Sequence, residues 1–152
     1  MNEDTVLRRA ENVTFEVVAD EAILIDMDTG TYFSLNEVGT LFWQKLDGKT
    51  PIAAHAEAIV THYSHKTAEF ISELRQLATE KIEVDRRSQQ LAATFDVDEA
   101  LIREHLPRLA GTDAKHHAAS LALEFAVSTE MVTSDLLELS ADLTAERLVE
   151  IV

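Results

Sequence analysis

The side chains in this 152-residue chain best suited to acid–base or metal chemistry are its six histidines. His62 and His65 are three positions apart, and His55 lies seven before His62. Such spacing can seat a metal on one helical face. Ser64 and His65, however, fall at a predicted turn, which would break that face. His116 and His117 are adjacent and point to different sides of a helix, so they do not share a ligand role. There is no Cys, which excludes disulfides, thiolate metal sites, iron–sulfur clusters and a cysteine nucleophile. No His-Glu-x-x-His, phosphate loop or dinucleotide fingerprint occurs, and Gly appears only four times. Nothing in the sequence pairs a Ser with a His. These residues predict no enzyme, no metal and no cofactor.

Charge narrows the partners. Thirteen Lys and Arg stand against 28 Asp and Glu, a net charge of −15. The excess is spread out, at −9 over residues 1–85 and −6 over 86–152. That argues against nucleic acid, whose sequence-independent affinity rests on basic side chains. It argues equally against an anionic membrane surface. No apolar run is long enough to span a bilayer. The acidic start Met1-Asn2-Glu3-Asp4 lacks the apolar stretch of a signal peptide. The expected location is cytoplasmic. At 46% hydrophobic residues the chain can bury a core without staples.

The elements that would position a site begin with β structure. Val13–Val18, Ala22–Asp26 and Thr31–Leu35 are short runs rich in β-branched, aliphatic and aromatic residues. Asp28-Thr29-Gly30 has the composition of a hairpin turn. Three strands with short links predict an antiparallel meander. Helices follow. Asn36 is a plausible cap for a helix carrying Val38, Leu41, Phe42 and Leu46. Thr50-Pro51 opens a second, with Ile52, Ala56, Ile59, Val60 and Tyr63 on one stripe. A third runs from about Thr67 to Lys81. A boundary is expected at Arg86-Arg87-Ser88, giving one domain over 1–86 and a helical extension over 87–152. That extension is read as helices near 88–95, 98–109, 113–126, 128–139 and 144–151. Asp98, Asp113, Ser128 and Thr144 are the expected caps, and Gly111 is an expected left-handed stop.

The extension repeats itself. Residues 91–109 align with 121–139 at an offset of 30, with six of nineteen positions identical. The same skeleton occurs earlier at an offset of 32, where Ile59, Tyr63, Phe70, Leu74 and Leu77 match Leu91, Phe95, Ile102, Leu106 and Leu109. Each copy reads as a helix, a tight turn and a second helix packed on the first. The second helix of such a unit would need positive charge to enter a DNA groove. Helix 128–139 has Glu130, Asp135 and Glu138 and no Lys or Arg. The repeat is therefore architectural, and a winged-helix transcription regulator is the weaker alternative. A structural protein–protein interaction subunit is another.

One ordered set of residues resembles a known family. Asp26-Met27-Asp28-Thr29-Gly30-Thr31-Tyr32-Phe33-Ser34-Leu35-Asn36-Glu37-Val38-Gly39, then Leu41-Phe42-Trp43 and Leu46-Asp47-Gly48-Lys49-Thr50, is similar to the PqqD-like family. The likeness spans about residues 8–85. Members are RiPP recognition elements, which hold the leader of a ribosomally made precursor peptide for a modifying enzyme. The resemblance implies an α+β fold. Its first part is a winged helix-turn-helix of three antiparallel strands and three helices; the all-helical region after residue 86 is a departure, because the usual short member lacks it. The resemblance also implies a groove between the third strand and the third helix.

Residues 31–35 suit that role, because they carry no charge, no Pro and two adjacent aromatics, so little blunts a strand edge there. A leader could pair along it as a fourth strand. The expected peptide-binding residues are Thr31, Tyr32, Phe33, Ser34 and Leu35, with Phe70, Glu73, Leu74, Leu77 and Lys81 from the third helix. Leu74, like Ile71 and Ala78, also fits a core position. The family usually has an aromatic or apolar residue where Glu73 stands, so Glu73 is expected to meet a basic leader side chain. It usually has Gly where Lys81 stands, so the helix end is expected to differ. The expected function is a peptide chaperone, with a precursor peptide, a modifying enzyme and a second copy as candidate partners. A recognition element fused to its own substrate peptide is a further variant.

Overall fold

The computed structural model describes residues 1–152. Its elements run β1 (Leu7–Arg9), β2 (Val13–Val18), β3 (Glu21–Asp26), β4 (Tyr32–Leu35), α1 (Glu37–Lys45), α2 (Ile52–Glu80), α3 (Val84–Phe95), α4 (Glu99–Leu109), α5 (Ala114–Glu124), α6 (Thr129–Ala145) and β5 (Val149–Ile151). The chain divides into two compact units. Unit 1 is Met1–Thr61 with Ser128–Val152, and unit 2 is His62–Val127.

Unit 1 contains the expected meander, an antiparallel sheet in the order β2-β3-β4. The register pairs Phe15 with Leu24 and Leu24 with Phe33. Asp26 holds the β3–β4 turn. Its carboxylate accepts from the Asp28 amide at 2.9 Å and from Asn12 Nδ2 at 3.0 Å. Gly30 takes φ +75, which a side chain would resist. Asn36 caps α1 as expected, its Oδ1 accepting from the Gly39 amide at 2.9 Å. One turn later Thr40 fixes α1 to the sheet: its buried hydroxyl accepts from the Ala22 amide at 2.7 Å and donates to the Leu35 carbonyl at 3.4 Å. Trp43 and Phe42 are fully buried. Trp43 meets Phe15 edge-on at 5.9 Å, with the Arg9 guanidinium over both rings.

Two short strands in unit 1 were not expected. The C-terminal stretch read as a helix over 144–151 instead leaves α6 at Ala145, passes through Arg147 at φ +60, and forms β5. That strand pairs with β1, Leu7 opposite Ile151 and Arg9 opposite Val149. Thr144 is therefore no cap. It lies inside α6 and donates to the Ser140 carbonyl at 2.7 Å. The apolar residues Leu148, Val149 and Ile151 suit a helix stripe or a short strand equally, and a partner distant in sequence decided between them.

The second and third expected helices are one. α2 runs for 29 residues without Gly or Pro, and nothing in Thr61-His62-Tyr63-Ser64-His65-Lys66 breaks a helix. Its residues 52–61 belong to unit 1 and 62–80 to unit 2. Unit 2 is helical and its core is continuous. Phe70, Ile71, Leu74, Leu77 and Ala78 pack with Ile102, Leu106, Leu109, Ala118 and Leu121. The repeat is visible in its aromatics: Phe95 and Phe125, thirty positions apart, both meet Phe70, at 5.1 and 5.8 Å. Asp98 and Ser128, also thirty apart, cap α4 and α6 through their side chains. Asp113 precedes α5 without a side-chain capping bond. Gly111 is not left-handed. The expected boundary residue Arg86 lies within α3, inside unit 2.

Candidate functional site

An open strand edge is the feature of unit 1 that can do chemistry-free recognition. β4 is the end strand of its sheet, so one side of it has no strand partner. Asp26 donates its amide to the Thr31 carbonyl at 2.9 Å. In an antiparallel ladder, hydrogen-bonded and non-hydrogen-bonded pairs alternate. With Ile25 opposite Tyr32 and Ile23 opposite Ser34, the N–H and C=O groups of Tyr32 and Ser34 face away from β3. These are the groups a further strand would use.

The side chains along this edge sort by parity. Leu35 is buried and Phe33 half-buried, on the face toward the core, while Tyr32 and Ser34 on the opposite face are exposed; Thr31, just before the strand, is exposed as well. Tyr32 is 72% exposed, beside Ile25 on the outer face. Next to the end of β4 lies a cavity of about 390 Å³. It is lined by Ser34, Leu35 and Asn36, by Val38 and Gly39 of α1, and by Asp135, Leu136 and Leu139 of α6. Gly39 makes that approach possible. A Cβ there would come within 3.3 Å of both Leu35 Cβ and Leu139 Cδ2.

The other five expected site residues lie in unit 2. Phe70, Leu74 and Leu77 are at most 4% exposed and belong to its core. Glu73 is exposed and lines a cavity of about 270 Å³ with Arg87, Gln90, Leu91, Thr94 and Phe95. Lys81 is exposed, follows the last residue of α2 and takes φ +55, a left-handed conformation. A larger groove of about 690 Å³ runs along α2 and α5, but no strand edge opens into it. Sequence reasoning missed Asp135, Leu136 and Leu139. Their signal was present in the repeat, which aligns this stretch of α6 with α2.

Titratable groups away from the edge are structural. The Asp47 carboxyl is lowered to about 2 by the amides of Thr50 and Lys49 and the Thr50 hydroxyl, bonds of 2.8 to 2.9 Å that shape the entry to α2. His55 is buried against the Phe42 ring, and burial pushes its pKa below the ordinary value. In unit 2, His105 Nδ1 and His117 Nε2 are 2.9 Å apart, and burial with the neighbouring His105 lowers His117. No group of three or more His, Asp or Glu side chains is placed to hold a metal ion. No helix is long and apolar enough to cross a membrane.

Residues 21–80 match the family model described as Coenzyme PQQ synthesis protein D (PqqD). They form a PqqD-like segment. It begins at β3 and ends with α2, so it contains the open strand, the Asn36 cap, Trp43 and the whole long helix. It covers less than half of the 152 residues, and β1, β2 and everything after α2 lie outside it. No curated protein and no solved structure matches the chain.

Proposed function

We propose that this protein binds the leader of a ribosomally made precursor peptide by strand addition along β4 and presents it to a modifying enzyme. It performs no covalent chemistry itself and uses no cofactor. The PqqD-like segment supports a peptide-recognition role in general. The observation that carries the finer reading is the open edge of β4, with the main-chain groups of Tyr32 and Ser34 directed outward. A fourth strand there gains main-chain hydrogen bonds, and flanking cavities choose its side chains. In this reading the sheet and its helices work as a winged-helix-like module, and unit 2 is left to contact the enzyme. The charge of −15 favours a peptide over nucleic acid.

The test is a titration of the short peptides encoded beside this gene against the full chain and its Ser34→Pro variant. Proline removes one outward N–H, and it is tolerated at a strand edge where that group faces solvent. Binding to the wild type that falls at least about tenfold in a folded Ser34→Pro protein is the expected result. Equal binding by both proteins would refute strand addition at β4. Failure of every neighbouring peptide to bind would refute the leader-chaperone reading.

A further inference from the structure

We infer that α6, and not the 67–80 stretch of α2, walls the peptide groove beside β4, and that Asp135 makes this groove select a basic residue. The inference rests on the leader-binding reading above and adds the wall and the side chain it recognises.

The repeat places the same stripe in both helices. Offsets of 32 and 30 together carry Phe70, Leu74 and Leu77 of α2 onto Val132, Leu136 and Leu139 of α6. They carry Glu73 onto Asp135. The same apolar stripe, with an acid at the same position in it, is thus present twice. The two stripes differ in availability. In α2 the stripe is consumed by the core of unit 2. In α6 it belongs to unit 1, with Val132 and Leu136 buried and Leu139 half-buried. There Leu136 and Leu139 join Leu35 in lining the cavity at the end of β4. The missing side chain of Gly39 lets Leu139 come up against α1.

Charge names the occupant. Asp135 is exposed on the cavity wall, and no hydrogen bond or ion pair within the chain engages its carboxylate. α6 carries Glu130, Asp135, Glu138 and Asp142 and no Lys or Arg. A strand laid along β4 sends alternate side chains to one face. An apolar residue would sit on Leu35, Leu136 and Leu139, and a Lys or Arg two positions away would meet Asp135. The occupant is therefore an extended basic peptide segment.

A library of random dodecapeptides displayed on phage tests this against the full chain. Wild-type protein is expected to enrich peptides with Lys or Arg two residues from an aliphatic one. Asp135→Lys, a surface change, is expected to lose about tenfold in affinity for those peptides and to enrich Asp or Glu at that position instead. Glu73→Lys is expected to leave both selection and affinity unchanged. Thermal melts confirm that each variant is folded. Peptides that depend on Ser34 but bind Asp135→Lys as well as wild type would overturn this inference and spare strand addition. Weakening by Glu73→Lys in place of Asp135→Lys would return the wall to α2. A pool with no member weakened by Ser34→Pro would overturn both readings.

Discussion

The two units contain the same helical stripe and use it differently. In unit 2, Phe70, Leu74 and Leu77 face other helices and close a core. In unit 1 the equivalent Val132 is buried, while Leu136 and Leu139 line a cavity at the end of the open strand β4. Helices meeting helices can interdigitate to crystal-like density. A strand edge, in contrast, presents main-chain groups that need hydrogen-bond partners as well as apolar cover. Duplication of a core-forming segment next to a sheet thus leaves a groove without any new residue type.

The contrast breaks most readily at the stripe. Leu74→Ala is expected to cost about 2–5 kcal/mol, because it opens a cavity in a closed core. Leu139→Ala, already half-exposed, is expected to cost less than about 1.5 kcal/mol. Urea melts read by far-UV circular dichroism and by Trp43 fluorescence separate the two units, since Trp43 is the sole Trp and lies in unit 1. Leu74→Ala should move the dichroism transition more than the fluorescence one. Equal movement would mean that the units unfold as one.

Thr40→Val tests the sheet side of the comparison. It leaves the buried Ala22 amide without its acceptor and is expected to cost about 1–3 kcal/mol, seen first in Trp43 fluorescence. A change confined to dichroism would contradict the role of Thr40 as the link between α1 and the sheet.

Asp47→Asn probes the entry to α2 in unit 1. The folded carboxyl lies near 2 against an ordinary 3.8, so its stabilising effect is complete above about pH 4 and fades as pH falls toward 2. The variant should be less stable than wild type at pH 7 and equal to it near pH 2. A difference that stays constant over that range would show that the charge is not the cause.

The smallest expected effect is at the other end of the same helix. Lys81→Gly relieves a left-handed conformation at φ +55 and should stabilise the protein by about 0.5–1 kcal/mol in equilibrium melts. A destabilised variant would mean that the Lys81 side chain contributes contacts exceeding its backbone cost.

Local signals in the sequence were sufficient where their physics is local. The Asp28-Thr29-Gly30 turn, the Asn36 cap, the three strands, and the Asp98 and Ser128 caps each depend on atoms a few residues apart, and each is found. The ordered residues from Asp26 to Thr50 pointed to the family whose model matches 21–80. Only the tertiary structure decided the rest. The Ser64-His65 stretch lacks a true helix breaker, so its conformation depended on what the following stripe packed against. The chain end became β5 because β1 offers it a partner, and Glu150 reaches Arg8 across 142 positions. Most of all, an i, i+4, i+7 stripe says that a helix has an apolar face, not which surface will cover it. Residues 67–77 and 129–139 read alike for that reason, and long-range packing alone made one a core and the other the wall of a groove.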